Sequence, residues 1–140
     1  MNVEVNYLAV LLAGVASMVV GFVWYGPMLF AKPWMKLMGH TAETMKKEQA
    51  KMGQTYGLSF VLALVMAYVL SHVMALSENF FHYPVLQTGL TSAFCMWFGF
   101  VMPVQMTDML FGSKKGKLFL INTGYQLVSL LAMGIVLGLL

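Results

Sequence analysis

Arginine is absent from this chain, cysteine occurs once, and charge of either sign is scarce. Only 9% of the residues are charged while 60% are hydrophobic, against about 25% charged in an ordinary soluble domain. That balance excludes a water-soluble fold. The eight basic residues are all lysines, and nothing resembles an arginine-rich nucleic-acid footprint, so no nucleic-acid partner is expected. Cys95 stands alone inside an apolar run, which rules out an intrachain disulfide and leaves it as a small packing residue. There is no Ser/His/Asp constellation, no glycine-rich phosphate loop and no paired carboxylate, so the chain is not expected to be an enzyme. The three histidines, His40, His72 and His82, form no i, i+4 pair and have no cysteine partner. No metal site and no cofactor are expected.

What is present is apolar length. Four segments, 5–27, 56–77, 85–110 and 118–140, each reach the ~20 residues a helix needs to cross ~30 Å of hydrocarbon. The first carries Glu4, no leading lysine and no small-residue cleavage pattern, and so reads as a retained span. The chain is thus expected to form one all-α membrane domain of four transmembrane helices in a bundle. Its connections are a loop at 28–55, an outer turn at 78–84 and a second turn at 111–117. The lysines occupy only the first and last of these, between Lys32 and Lys51 and between Lys114 and Lys117. That segregation places both loops in the cytoplasm, against anionic lipid, and both termini outside it.

The first loop has helical signals of its own. Trp24, Tyr25 and Trp34 suit an aromatic anchor at the membrane interface, and Gly26 and Pro27 break the first span. Pro33 fits the first turn of a short interfacial helix that Gly39 ends in a left-handed cap. Thr41 then caps a second short helix, in which Glu43 and Lys47 are spaced for an ion pair.

Small residues mark where helices approach closely. Ala9, Ala13, Ser17 and Gly21 repeat every four residues in the first span. Ser59, Ala63, Ala67, Ser71 and Ala75 do so in the second, and Gly134 and Gly138 form a GxxxG pair in the fourth. Seams left exposed would produce a homo-oligomer. A parallel repeat is also worth testing, because Gly21-Phe22-Val23 before Pro27 parallels Gly99-Phe100-Val101 before Pro103.

The residues with chemical potential gather near the lysine side of spans three and four. Gln105 and Asp108 lie on one side, and Asn122, Tyr125, Gln126 and Ser129 form a polar face on the other. An intramembrane carboxylate must reach water, a cation or hydrogen-bond donors. The cluster is therefore a candidate proton, ion or small-solute site, or else a structural clamp with Asp108 reaching toward Lys114 and Lys117. Pro103, acting against the carbonyl of Gly99, should kink span three and makes the pair a candidate hinge.

Asn6-Tyr7-Leu8-Ala9, Trp24-Tyr25-Gly26-Pro27 with Lys32 and Trp34, Lys117-Leu118-Phe119-Leu120-Ile121-Asn122, Gly124-Tyr125 and Leu127-Val128-Ser129-Leu130 carry a resemblance along essentially the whole chain. The sequence resembles the small bacterial membrane proteins catalogued as domain of unknown function 1761. The resemblance implies a four-span protein of a bacterial inner membrane, with no established activity to carry over. Such proteins often have a glutamate and an arginine beside the glycine of the last loop, where this chain reads Gly112-Ser113-Lys114. The expected function is a non-enzymatic, membrane-embedded binding or assembly protein, with an unidentified membrane partner. The alternative is a small channel or transporter for protons, cations or a small solute, using the cluster around Asp108.

Overall fold

Every long apolar run becomes a helix, because buried or lipid-facing backbone must satisfy its own hydrogen bonds. In the computed structural model, which describes residues 4–49, 51–112 and 115–140, no strand occurs among the described residues. Helix α1 spans Tyr7–Trp24, α2 Ala31–Met38, α3 Ala42–Gln49 and α4 Met52–Phe81. Helix α5 spans Val85–Met96, α6 Met102–Phe111 and α7 Gly116–Leu139, and a π-helical segment, Trp97–Val101, joins α5 to α6. Four helical stretches are long and apolar enough to cross a membrane: α1, α4, Val85–Phe111 and α7. Ser113 and Lys114, which include the departure from the usual loop pattern and one of the lysines toward which Asp108 is expected to reach, lie outside the described residues.

The element ends follow local chemistry. Asn6 caps α1 by accepting from the Ala9 N–H at 3.2 Å, satisfying one of the donors a helix start leaves open. After α1 the chain reverses at Gly26, where any Cβ would meet the Phe22 carbonyl oxygen at 2.6 Å. Gly39 ends α2 with φ +71°, a left-handed cap that glycine adopts without a Cβ penalty. Thr41 and Thr44 cap α3 reciprocally, each side-chain oxygen accepting the other's backbone N–H at 3.3 and 2.8 Å. Helix α4 runs four residues beyond the apolar run at each end, to Met52 and Phe81. The outer turn is therefore only 82–84, with His82 closing α4 at φ 57°.

Helices α1 and α5 each pack on both α4 and α7, and α4 and α7 also touch each other. The core between them is Val10, Ala13, Ala63, Ala67, Leu70, Met74, Ala93, Leu130 and Met133. Outside it, large apolar side chains such as Leu8, Phe22, Leu58 and Val104 are left exposed. The amide of Asn6 donates to the Leu140 carbonyl at 3.3 Å, so the start of α1 and the end of α7 meet.

The small residues sort themselves by depth. Ala9, Ala13 and Ser17 are buried, and Gly21 abuts the ring of Tyr125 on α7. On α4 only Ala63 and Ala67 of the expected seam are buried, and the buried line continues through Leu70 and Met74. Ser59 is exposed and Ser71 and Ala75 are half-buried. A strict four-residue repeat turns about 40° per step on a helix of 3.6 residues per turn, so it leaves a straight interface after two or three steps. Gly134 and Gly138 both face α5: a Cβ on Gly134 would meet the Gly89 carbonyl oxygen at 2.5 Å, and one on Gly138 the Val85 carbonyl oxygen at 3.2 Å.

Span three departs from expectation in an instructive way. The backbone widens into the π-helical segment just before Pro103, with the Met102 N–H bonded to the Trp97 carbonyl five residues back. Proline then stands in the first turn of α6, directly after this wide turn. Of the candidate hinge pair, Gly99 lies within the π segment and Pro103 just after it. Gly21-Phe22-Val23 ends an α-helix whereas Gly99-Phe100-Val101 lies in the π segment, so the two motifs are not structural equivalents.

Candidate functional site

The lysine end of the molecule is held together by polar atoms of aromatic side chains. Trp24 donates its indole N–H to the Ile121 carbonyl at 3.0 Å, and Trp97 donates to the Thr123 carbonyl at 2.9 Å. Both acceptors lie on α7. Gly124 makes room for the first, since a Cβ there would meet the Trp24 ring at 3.1 Å. Tyr25 donates to Asn122 Oδ1 at 2.8 Å and packs its ring 5.2 Å from that of Tyr125 and 5.6 Å, edge-on, from Trp34. Trp24, Tyr25 and Trp34, expected as interface anchors, are half-buried, and the first two spend their polar atoms on α7. The reason is local: α1 ends where α7 begins, and an indole or phenol held there gains a partner inside the protein.

Between α6, α7 and the end of α1 lies a cleft of about 310 Å³. All five residues of the expected cluster line it: Gln105, Asp108, Asn122, Tyr125 and Gln126. Tyr25 completes the wall, a residue the sequence marked only as an anchor; its position just after span one gave no sign that it would turn toward α7. Gln105 and Asp108 are i, i+3 on α6, and Asn122, Tyr125 and Gln126 are i, i+3, i+4 on α7, so each set shares a helical face. Asp108 is exposed and Gln105 half-buried, which places the carboxylate toward the mouth. The buried Gln105 Oε1 has no hydrogen-bond partner. Ser129 lies deeper and is engaged elsewhere, sharing a 2.5 Å hydrogen bond with Ser17 of α1.

Tyr25 lies just past the end of α1. Burial raises its hydroxyl pKa above the ordinary tyrosine range, and the neighbouring Tyr125 adds to the effect. The phenol stays neutral and keeps its proton to donate to Asn122.

A second cleft of about 250 Å³, between α1 and α4, is lined by Met18, Gly21, Phe22, Tyr56 and Ser59 together with Tyr25 and Tyr125. The two tyrosines therefore form a shared wall between two clefts. Ser59, exposed in the packing, belongs to this second wall. Elsewhere His72 bonds back to the Tyr68 carbonyl at 3.0 Å, and His40 packs against Trp34. No cluster of three metal-ligating side chains occurs among the described residues.

The family model described as protein of unknown function, DUF1761, matches residues 8–138. The chain belongs to that family. The matched DUF1761 range contains every cleft residue from Tyr25 to Gln126, so the site is part of the family domain. No curated protein and no solved structure matched the chain.

Proposed function

We propose that this protein is a non-enzymatic binding protein embedded in a bacterial inner membrane, which takes a small polar solute into the cleft between α6 and α7. One observation carries this reading: polar side chains from three separate elements converge on one cleft that contains a buried, unpartnered acceptor, Gln105 Oε1. A purely structural clamp would pair that atom, because an unsatisfied buried polar group costs about 1–3 kcal/mol. The orientation that fits has the lysine loops in the cytoplasm, α2 and α3 along the headgroups, and both termini outside. The cleft then opens toward the cytoplasm. Self-association draws less support than the small-residue pattern alone gave it, since Gly134 and Gly138 already face α5 of the same chain.

The test is thermal stabilisation of the purified protein by a panel of small amines, alcohols, amides and carboxylates. At least one class stabilises the wild type and fails to stabilise the Gln105→Leu/Asn122→Leu variant. A panel in which every solute acts equally on both proteins, or on neither, removes the binding reading. Orientation is tested in a Cys95→Ala background: Lys46→Cys and Lys115→Cys label with an impermeant thiol reagent only from the cytoplasmic side, and periplasmic labelling overturns the topology.

A transport reading is favoured by a different observation, the π-helical segment one turn from Gln105, since such wide turns are places where helices rearrange. Reconstituted liposomes discriminate. Wild-type flux of protons or cations above empty vesicles, lost in Asp108→Asn, would convert the binding site into a transport site; equal background flux in both leaves binding alone.

A further inference from the structure

We infer that the second cleft, between α1 and α4, is a phospholipid site that takes the glycerol-ester region of a lipid whose chains run along the two helices. The cleft begins where close packing ends. At Gly14 a Cβ would meet Leu64 Cδ2 at 2.7 Å and Phe60 Cε2 at 3.5 Å. One turn nearer the lysine end, Met18, Gly21 and Phe22 on α1 and Tyr56 and Ser59 on α4 enclose about 250 Å³ against the tyrosine wall. The surroundings are apolar and face outward: Val19 and Phe22 are exposed on α1, and Leu58 and Leu62 on α4. In a bilayer such a surface is bathed in lipid, so what enters between the helices comes from the lipid phase.

The hydroxyls decide which part of the lipid enters. Tyr25 donates to Asn122 Oδ1 at 2.8 Å and Tyr125 to the Ser17 carbonyl at 3.5 Å, so the protons of the shared wall are spent inside the protein. Tyr56 and Ser59 stand one turn apart on α4, and no hydrogen bond ties either hydroxyl to the described residues. Two donors therefore face whatever fills the cleft. An ester carbonyl accepts and cannot donate, which makes the paired esters of a phospholipid complementary to them. Depth agrees, because at 1.5 Å per residue Tyr56 and Ser59 lie about 7 and 12 Å along α4 from Lys51, at the border between headgroups and hydrocarbon. Lys46, Lys47 and Lys51 are exposed at this end and draw anionic headgroups toward it. The Phe22 and Tyr56 rings, 5.5 Å apart, give an acyl chain an apolar edge to lie on. Apart from the tyrosine wall the two clefts are separate, so this site does not depend on the solute reading.

The experiment presents the whole protein in mild detergent with two lipids that differ only in their linkage: dioleoyl phosphatidylglycerol, which has ester carbonyls, and its dialkyl ether analogue, which lacks them. Native mass spectrometry counts the lipid bound across a titration. The ester binds the wild type about sevenfold more tightly than the ether, the factor for two hydrogen bonds of the strength usual in membrane proteins. Tyr56→Phe and Ser59→Ala each reduce ester affinity about threefold, and in the double variant the two lipids bind alike. Ser59→Leu fills the cleft and abolishes saturable binding of both. Both positions are exposed, and a single gel-filtration peak with a wild-type unfolding midpoint establishes that the variants are folded. Equal binding of ester and ether by the wild type overturns the inference. An ester preference that survives in the folded double variant, or binding unchanged in folded Ser59→Leu, overturns it by placing the lipid elsewhere. Absence of saturable binding by either lipid overturns it as well.

Discussion

The two ends of the helix pack solve the same association problem with opposite materials. At the end where the termini meet, α5 and α7 touch backbone to backbone through Gly89, Gly134 and Gly138, beside a core of Ala93, Met74 and Met133. At the lysine end, α1, α6 and α7 are held apart by Trp24, Tyr25, Trp97 and Tyr125, and their hydrogen bonds reach across the gap. Glycine contact leaves no space. Aromatic spacers leave two clefts. Lipid supplies no hydrophobic drive for helix association, so close packing and interhelical hydrogen bonds must do the work, and this chain uses one at each end. The lesson is that room for a ligand arises where side chains, rather than backbones, set the helix spacing.

The largest expected effect comes from breaking the close end. Gly89→Ala places a methyl group onto the Gly134 carbonyl oxygen, which is backbone and cannot swing away. The cost is about 3 kcal/mol, at the upper end for overpacking, and appears as a lower midpoint in equilibrium unfolding in mixed micelles. Gly134→Ala meets the Gly89 carbonyl and does the same. If either variant unfolds at the wild-type midpoint, the glycine contact is not what holds this end.

At the spaced end single deletions cost less. Trp97→Phe and Trp24→Phe each remove one hydrogen bond to an α7 carbonyl at about 3 Å, and each costs about 0.6 kcal/mol, rising to about 1.7 if the indole is irreplaceable. Tyr25→Phe removes the bond to Asn122 and falls in the same range. Because Tyr25 and Tyr125 divide the two clefts, Tyr25→Phe also weakens solute binding by more than it weakens the fold, and calorimetry beside unfolding reads that ratio. Equal losses would make the tyrosine a spacer only.

How much of this contrast the chain announces depends on the kind of signal. Four apolar runs separated by short polar connections make helices inevitable, and the i, i+3, i+4 pattern of Asn122, Tyr125 and Gln126 puts them on one face whatever they face. Gln105 and Asp108 were legible for the same reason. Gly134 and Gly138 were legible as a contact but not as a contact with Gly89, because a GxxxG pair names no partner. Tyr25 was hidden, since an aromatic residue at the end of a span carries the same letter whether it sits in headgroups or turns inward. The π segment was hidden as well: proline predicts disruption at its own position, whereas the backbone resolved the strain one turn earlier, where Trp97 could gain a bond to α7.

That displacement sets up the smallest effect and the sharpest control. Gly99 lies inside the π segment, and a Cβ built on it meets nothing within 4 Å. The same substitution that is destructive at Gly89 should be harmless here. Gly99→Ala gains up to about 1 kcal/mol of helix propensity if the π geometry accepts alanine, so the unfolding midpoint stays level or rises slightly. The sign carries a second meaning, because glycine at a wide turn also lowers the cost of changing its shape. If Gly99→Ala leaves stability and solute affinity alone but slows solute release, the π segment moves during the binding cycle. If all three are unchanged, the segment is a fixed adaptation to Pro103, and the spaced end owes its clefts to Trp24, Tyr25, Trp97 and Tyr125 without any hinge.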